Sequence, residues 1–307
     1  MAFITCLTAC LLYSLSEIFD KIGSCDDDEH TELKLLVWFG IVNLCITCFY
    51  ISFNLGETGL APWTMIFQSP VLVFPSLFYV LALLTAFISL KFIPVSIETP
   101  LCNVNSLFAF VGVVLMFLAT GNTQELRNEL TTTNIIALVF VLTGILTLMI
   151  HGLKVGKSEI VKRNVVVFGS AFAILSAFFD ALDTIFEAYI LGDASDSNDF
   201  VIVYGFTIAV IAFIAYIYLC IITKKIYNPF AKSELFRMLA GVVDALGNVA
   251  YVYAVELVPV LVSPITSSYI ILTLIIARLF LKEKLSRTQY LSILTVIIGI
   301  SFFALIP

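Results

Sequence analysis

Asp180, Asp183 and Glu187 fall at i, i+3 and i+7 within an otherwise apolar run, so on a helix they share a ~60° sector of one face. An ionisable side chain at mid-bilayer costs at least ~2.5 to 3.5 kcal/mol, and three together need water, partners or protons. Their chemistry would be to hold a cation or to exchange a proton. Glu187 stands close enough to the end of its run to reach headgroups, whereas Asp180 lies ~24 Å of helix from the start near Asn164. Asp244, Asn248 and Tyr251 form a second polar stripe at i, i+4 and i+7, with Asp244 ~14 Å of helix from its own run's start. Interhelical hydrogen bonding is a competing role for Asn248.

The first half of the chain offers Glu17 and Asp20 near the end of its first apolar run. Glu17 and Lys21 are spaced i, i+4 and can simply pair. Two further polar groups accompany pairs of prolines: Glu98, between Pro94 and Pro100, with Asn103 and Asn105 after them, and Thr266, Ser267, Ser268 and Tyr269 after Pro259 and Pro264. Ser and Thr bond readily to their own helix, which leaves Asn105 and Tyr269 as candidates for contact with a ligand at the midplane. Glu98 reads as an entrance charge.

Catalytic and metal chemistry find little support. The chain has two histidines, His30 and His151, and it has no His-Glu-x-x-His or Gly-x-Ser-x-Gly motif. Cys45 and Cys48 are an isolated pair within an apolar run, where thiols behave as small hydrophobes. No catalytic residue, metal or cofactor is expected.

The elements that must carry these side chains are membrane helices. Hydrophobic residues make up 61% of the chain and charged ones 12%, against about 25% charged in a soluble domain. Mean hydropathy is +1.07. About ten runs have the length of a bilayer span: 2–22, 33–54, 69–90, 94–119, 133–152, 164–191, 200–222, 235–255, 258–281 and 288–306. Continuous apolarity excludes the alternating pattern of a membrane barrel, so the expected fold class is an all-α integral membrane protein. Residues 1–22 carry no cation before Lys21, unlike a signal peptide, and read as a retained first helix.

Every Lys and Arg except Arg127 flanks the first, third, fifth, seventh or ninth loop. By the positive-inside rule these loops face the cytoplasm and both termini lie outside. The other face collects acidic residues, among them Glu57, Glu125, Glu129, Asp193, Asp196, Asp199 and Glu256.

Residues 254–300 contain two prolines, an apolar helix, a basic turn with Lys282, Glu283, Lys284 and Arg287, then Gln289 and a second apolar helix with Gly299 inside it. A weaker copy spans 90–149, where Pro94, Pro100, Asn134 and Gly144 correspond to Pro259, Pro264, Gln289 and Gly299. The first copy departs from the pattern in its turn, Gly121-Asn-Thr-Gln-Glu-Leu-Arg-Asn-Glu-Leu130. The later copy resembles the closing helix pair of an EamA-type repeat in the drug/metabolite transporter superfamily. The resemblance is clear over 240–300, partial over 70–150 and architectural elsewhere.

That resemblance implies ten helices in two five-helix repeats, 1–153 and 164–307, joined by a basic linker at 154–163. An odd number of spans per half makes the repeats inverted, an arrangement suited to alternating access around a midplane site. The interior candidates are carboxylates, and the nearby cations Lys91 and Arg278 can snorkel to the surface. A phosphorylated substrate, which would need buried cations, is therefore disfavoured. A small cationic or zwitterionic solute fits, such as an amine, quaternary ammonium compound or amino acid, with Tyr251 and Tyr269 available for cation–π contact. Desolvated carboxylates favour their protonated form, so proton exchange for the substrate is the expected coupling. A scaffold or sensor without transport and a membrane-embedded enzyme are the alternatives. The expected partners are the substrate and the lipid bilayer, with a homodimer left open and no nucleic acid.

Overall fold

A computed structural model describes residues 2–24, 30–53, 55–56, 58–121, 123–155, 163–192, 196–280 and 285–303. Residues 25–29 of the acidic first loop, 156–162 of the linker, Glu57, Asp193, and the turn residues Lys282, Glu283 and Lys284 lie outside the described set. So does the side chain of Glu125.

Among the described residues all regular secondary structure is helical, as an apolar backbone in lipid must be to satisfy its own polar groups. The helices are α1 (Ala2–Gly23), α2 (Thr31–Ser52), α3 (Pro62–Gln68), α4 (Val73–Leu90), α5 (Val95–Cys102), α6 (Asn105–Thr120), α7 (Thr123–Glu129), α8 (Thr132–Val155), α9 (Arg163–Gly192), α10 (Ser197–Thr223), α11 (Leu235–Leu257), α12 (Val262–Thr266), α13 (Tyr269–Phe280) and α14 (Arg287–Phe303). Among the described residues, nine helical stretches of 19 to 28 residues are long and apolar enough to span a bilayer. The tenth expected span is α14, described over 17 residues. Ile4, Phe213, Ile221 and Leu279 are exposed on the outside of the bundle, a surface suited to lipid and not to water. The chain is a multi-pass integral membrane protein.

Two of the spans are broken. Pro94 is extended and precedes α5, while Pro100 lies inside that helix, which ends two residues later before the chain resumes as α6. Pro100 has no N–H for the carbonyl of Ser96, and that carbonyl instead accepts from Gln289 Nε2 at 3.3 Å. In the second half Pro259 precedes α12, Pro264 lies within it, and the break falls at Ser267 and Ser268. The two outer prolines punctuate loops and the two inner ones accompany breaks, in agreement with their depth in sequence.

Packing joins the two ends of the chain. α1 packs most extensively on α11, α2 on α10, α4 on α9 and α8 on α14. Glycines allow the last pair its close approach: a Cβ on Gly144 would stand 2.4 Å from Val296 Cγ2, and one on Gly299 would stand 2.8 Å from the carbonyl oxygen of Ala137.

Candidate functional site

α1, α4, α5, α6, α9, α11, α12 and α13 enclose a cavity of ≈ 130 Å³. Six carboxylates lie on its wall: Glu17, Asp20, Glu98, Asp180, Asp183 and Asp244. No Lys, Arg or His is among the described lining residues. Asn105, Asn248, Tyr251 and Tyr269 line the same space. The polar stripes of α1, α9 and α11, each apparent in sequence only along its own helix, thus face one another across the bundle.

Each carboxylate is held by donors from other helices or from its own helix one turn away. Asn105 donates from Nδ2 to Asp180. Tyr79 donates to Asp244, which also accepts from Asn248 Nδ2 at 3.2 Å. Asn248 in turn accepts from the Tyr13 hydroxyl, so it both ties α1 to α11 and orients the carboxylate. Tyr204 donates to Asp183 at 3.4 Å. Tyr269 donates to Glu17 at 2.7 Å, and Thr99 donates to the same carboxylate. The Cys102 thiol donates to Glu98 at 3.0 Å. Tyr251 shares a 2.9 Å hydrogen bond with Thr184.

The ring of Tyr13 stands 6.2 Å from that of Tyr251 and 5.9 Å from that of Tyr269, making an aromatic wall beside the carboxylates. Aromatic faces next to desolvated anions suit an organic cation, which both attract.

Several expectations need correction. Glu187 is 1% exposed and is not among the residues lining the cavity, so it is buried in the bundle instead of reaching headgroups. Glu17 takes its hydrogen bonds from Thr99 and Tyr269, whereas Lys21 donates to the Leu90 carbonyl at 2.6 Å. Glu98 is buried at the wall rather than standing free as an entrance charge. Arg237, grouped in sequence with loop cations, is buried in an ion pair with Glu234 at 2.6 Å. It also donates to Gly23 O at 3.0 Å and Thr31 Oγ1 at 2.8 Å, and it is not among the residues lining the cavity. Lys91 pairs with Glu32.

Tyr13, Tyr79 and Cys102 are site residues that sequence reasoning passed over. Tyr13 was detectable, since Tyr13, Glu17 and Asp20 repeat the i, i+4, i+7 spacing of Asp244, Asn248 and Tyr251. Tyr79 is a single tyrosine in an apolar helix and carried no such signal.

Residues 167–305 match the model of the EamA-like transporter family. Over that stretch, a little under half of its length, the chain is similar to that family. The EamA-like stretch includes 240–300, where the resemblance was clear, and supplies Asp180, Asp183, Asp244, Asn248, Tyr251 and Tyr269 to the cavity. The partial resemblance over 70–150 falls outside the matched residues. None of the curated proteins matches the chain. Among solved structures, one described only as "Crystal structure of protein" is 15% identical, with a TM-score of 0.66, and the match covers 99% of this chain and 98% of that one. At that identity the likeness shows a common fold across both halves.

Proposed function

We propose that the protein is a secondary transporter of a small organic cation, working by alternating access and coupled to protons through its intramembrane carboxylates. The observation that carries this reading is the cavity wall of six carboxylates with no cation among its described residues. Buried anions left uncompensated are costly, so this wall calls for a cation or for protons. Exchange of one for the other would couple their movements. An amine or quaternary ammonium compound meets the wall directly. An amino acid meets it with its ammonium end but finds no positive lining residue for its carboxylate, which favours cations over zwitterions. Asp180 lines the cavity instead of facing lipid, as a ligand-binding role requires and a purely structural scaffold does not.

The chain is read as two inverted five-helix repeats, 1–153 and 164–307, joined by the linker 154–163. Exchanging α1 with α9, α2 with α10, α4 with α11, the α5–α6 span with α12–α13, and α8 with α14 carries the α1–α11 pairing onto α9–α4. The same exchange returns α2–α10 and α8–α14 to themselves. Asn105 and Tyr269 begin the second segments of the two broken spans, equivalent places under this exchange. The cavity runs from mid-helix residues such as Tyr79 to Asp20 and Leu90, beside Lys21 and Lys91. With cytoplasmic basic loops and both termini outside a cell membrane, it extends toward the cytoplasm.

A thermal-stabilisation screen of the purified protein in detergent tests the substrate class, because a ligand of the folded state raises Tm by mass action. Stabilisation by amines or quaternary ammonium ions that weakens on acidification supports the reading. Stabilisation only by sugar phosphates or neutral solutes overturns it.

A further inference from the structure

We propose that the cavity takes a dication, an α,ω-diamine or linear polyamine with its two ammonium groups on two separate carboxylate clusters. This rests on the cation reading above and narrows it. One cluster, Asp180, Asp183 and Asp244, belongs to α9 and α11 and is oriented by Asn105, Tyr204, Tyr79 and Asn248. The other, Glu17, Asp20 and Glu98, belongs to α1 and α5 and is oriented by Thr99, Tyr269 and Cys102.

Each cluster keeps one buried carboxylate oxygen, Asp183 Oδ1 in the first and Asp20 Oδ1 in the second, with no hydrogen-bond partner among the described residues. Asp183 and Asp20 are 4% and 6% exposed, and both line the cavity. An acceptor left alone in a desolvated site is costly. An ammonium group brings three donors and a charge. A monocation would meet one cluster; a linear dication meets both. Asn105 Oδ1, also without a partner among the described residues, adds a neutral acceptor beside the first cluster.

The remaining wall suits the chain joining the two charges. Ala82, Leu83 and Ala86 line the same space from α4 and offer apolar surface to methylene groups. Tyr13, bonded through its hydroxyl to Asn248 and flanked by Tyr251 and Tyr269, offers an aromatic side to the same chain.

The test is calorimetric titration of the purified full-length protein with 1,4-diaminobutane, spermidine and butylamine at neutral pH. The second ammonium should add at least one charge-assisted hydrogen bond, so 1,4-diaminobutane is expected to bind roughly 10-fold or more tightly than butylamine. Asp20→Asn and Asp183→Asn should each bring that ratio close to one. Equal binding of the diamine and butylamine by the wild-type protein overturns the dication proposal while leaving the cation reading in place. So does a ratio that survives in both variants. Binding of none of the three amines overturns both. The wild-type comparison decides even where a variant fails to fold.

Discussion

The side-chain amide of Asn105 donates to the carboxylate of Asp180, joining the start of α6 to the interior of α9. Its counterpart is the Tyr269 hydroxyl at the start of α13, which donates to Glu17 of α1. Each broken helix thus places a donor, at the first residue after its break, on a carboxylate of another helix. A change in the charge of Asp180 or Glu17 would therefore be felt at the joint of a broken span.

Asp180→Asn removes the charge and keeps the shape. It is expected to abolish transport, a loss of about 100-fold or more if the carboxylate forms a charged hydrogen bond with substrate, while membrane insertion and monodispersity in detergent stay at wild-type levels. Uptake by a well-expressed variant at the wild-type rate would remove Asp180 from the mechanism. Asn105→Ala should weaken substrate binding about 10-fold, through loss of the same bond seen from its other end.

Tyr79→Phe deletes the hydroxyl that donates to Asp244. Hydrogen bonds between membrane helices contribute on average only about 0.6 kcal/mol to stability, so Tm should barely change. Substrate affinity should change more, because Asp244 loses its orienting donor. A large fall in Tm with unchanged affinity would assign the pair a purely structural role.

The spans were legible in the sequence because a continuous apolar run of about 20 residues matches the thickness of a bilayer core, and Pro100 and Pro264 lie deep within the two spans that break. Convergence was not legible. Tyr79 and Asp244 are 165 residues apart in the chain, and no local spacing shows that α4 and α11 bring them together. Arg237 illustrates the reverse error: near Lys232 at a span boundary it reads as a loop cation, yet it turns inward to cap the end of α1 at Gly23. Asp180 and Asp183 of the α9 stripe line the cavity, but depth along the helix did not reveal that Glu187 is buried and absent from its lining.

Arg237→Met leaves Glu234 buried without its ion-pair partner and should cost about 3–5 kcal/mol, visible as a marked fall in Tm. Adding Glu234→Gln should recover part of that loss, because the buried uncompensated charge disappears. No recovery in the double variant would show that the hydrogen bonds to Gly23 and Thr31 carry the effect.

Gly299→Ala places a methyl group 2.8 Å from the Ala137 carbonyl oxygen, a backbone atom that cannot move aside as a side-chain tip would. Separation of α14 from α8 should cost about 1–3 kcal/mol, read as a lower Tm in detergent. Retention of the wild-type Tm would mean that these two helices adjust their spacing freely.

Cys102 lines the cavity beside Glu98. In a variant whose other cysteines are replaced by serine or alanine, a small membrane-permeant thiol reagent should modify it, and a bound organic cation should slow that modification severalfold. Protection by sugar phosphates but not by amines would contradict the proposed ligand charge.

The most direct test of the central claim is uptake of a radiolabelled organic amine into proteoliposomes carrying the purified protein, with and without an imposed pH gradient. Proton-coupled exchange predicts that an acidic lumen drives accumulation of the amine against its gradient, beyond the trapping seen in protein-free liposomes, and that Asp180→Asn reduces uptake to that baseline. Uptake equal to the protein-free baseline at every gradient, by a protein shown to be folded and to bind the amine, would contradict cation transport by this cavity.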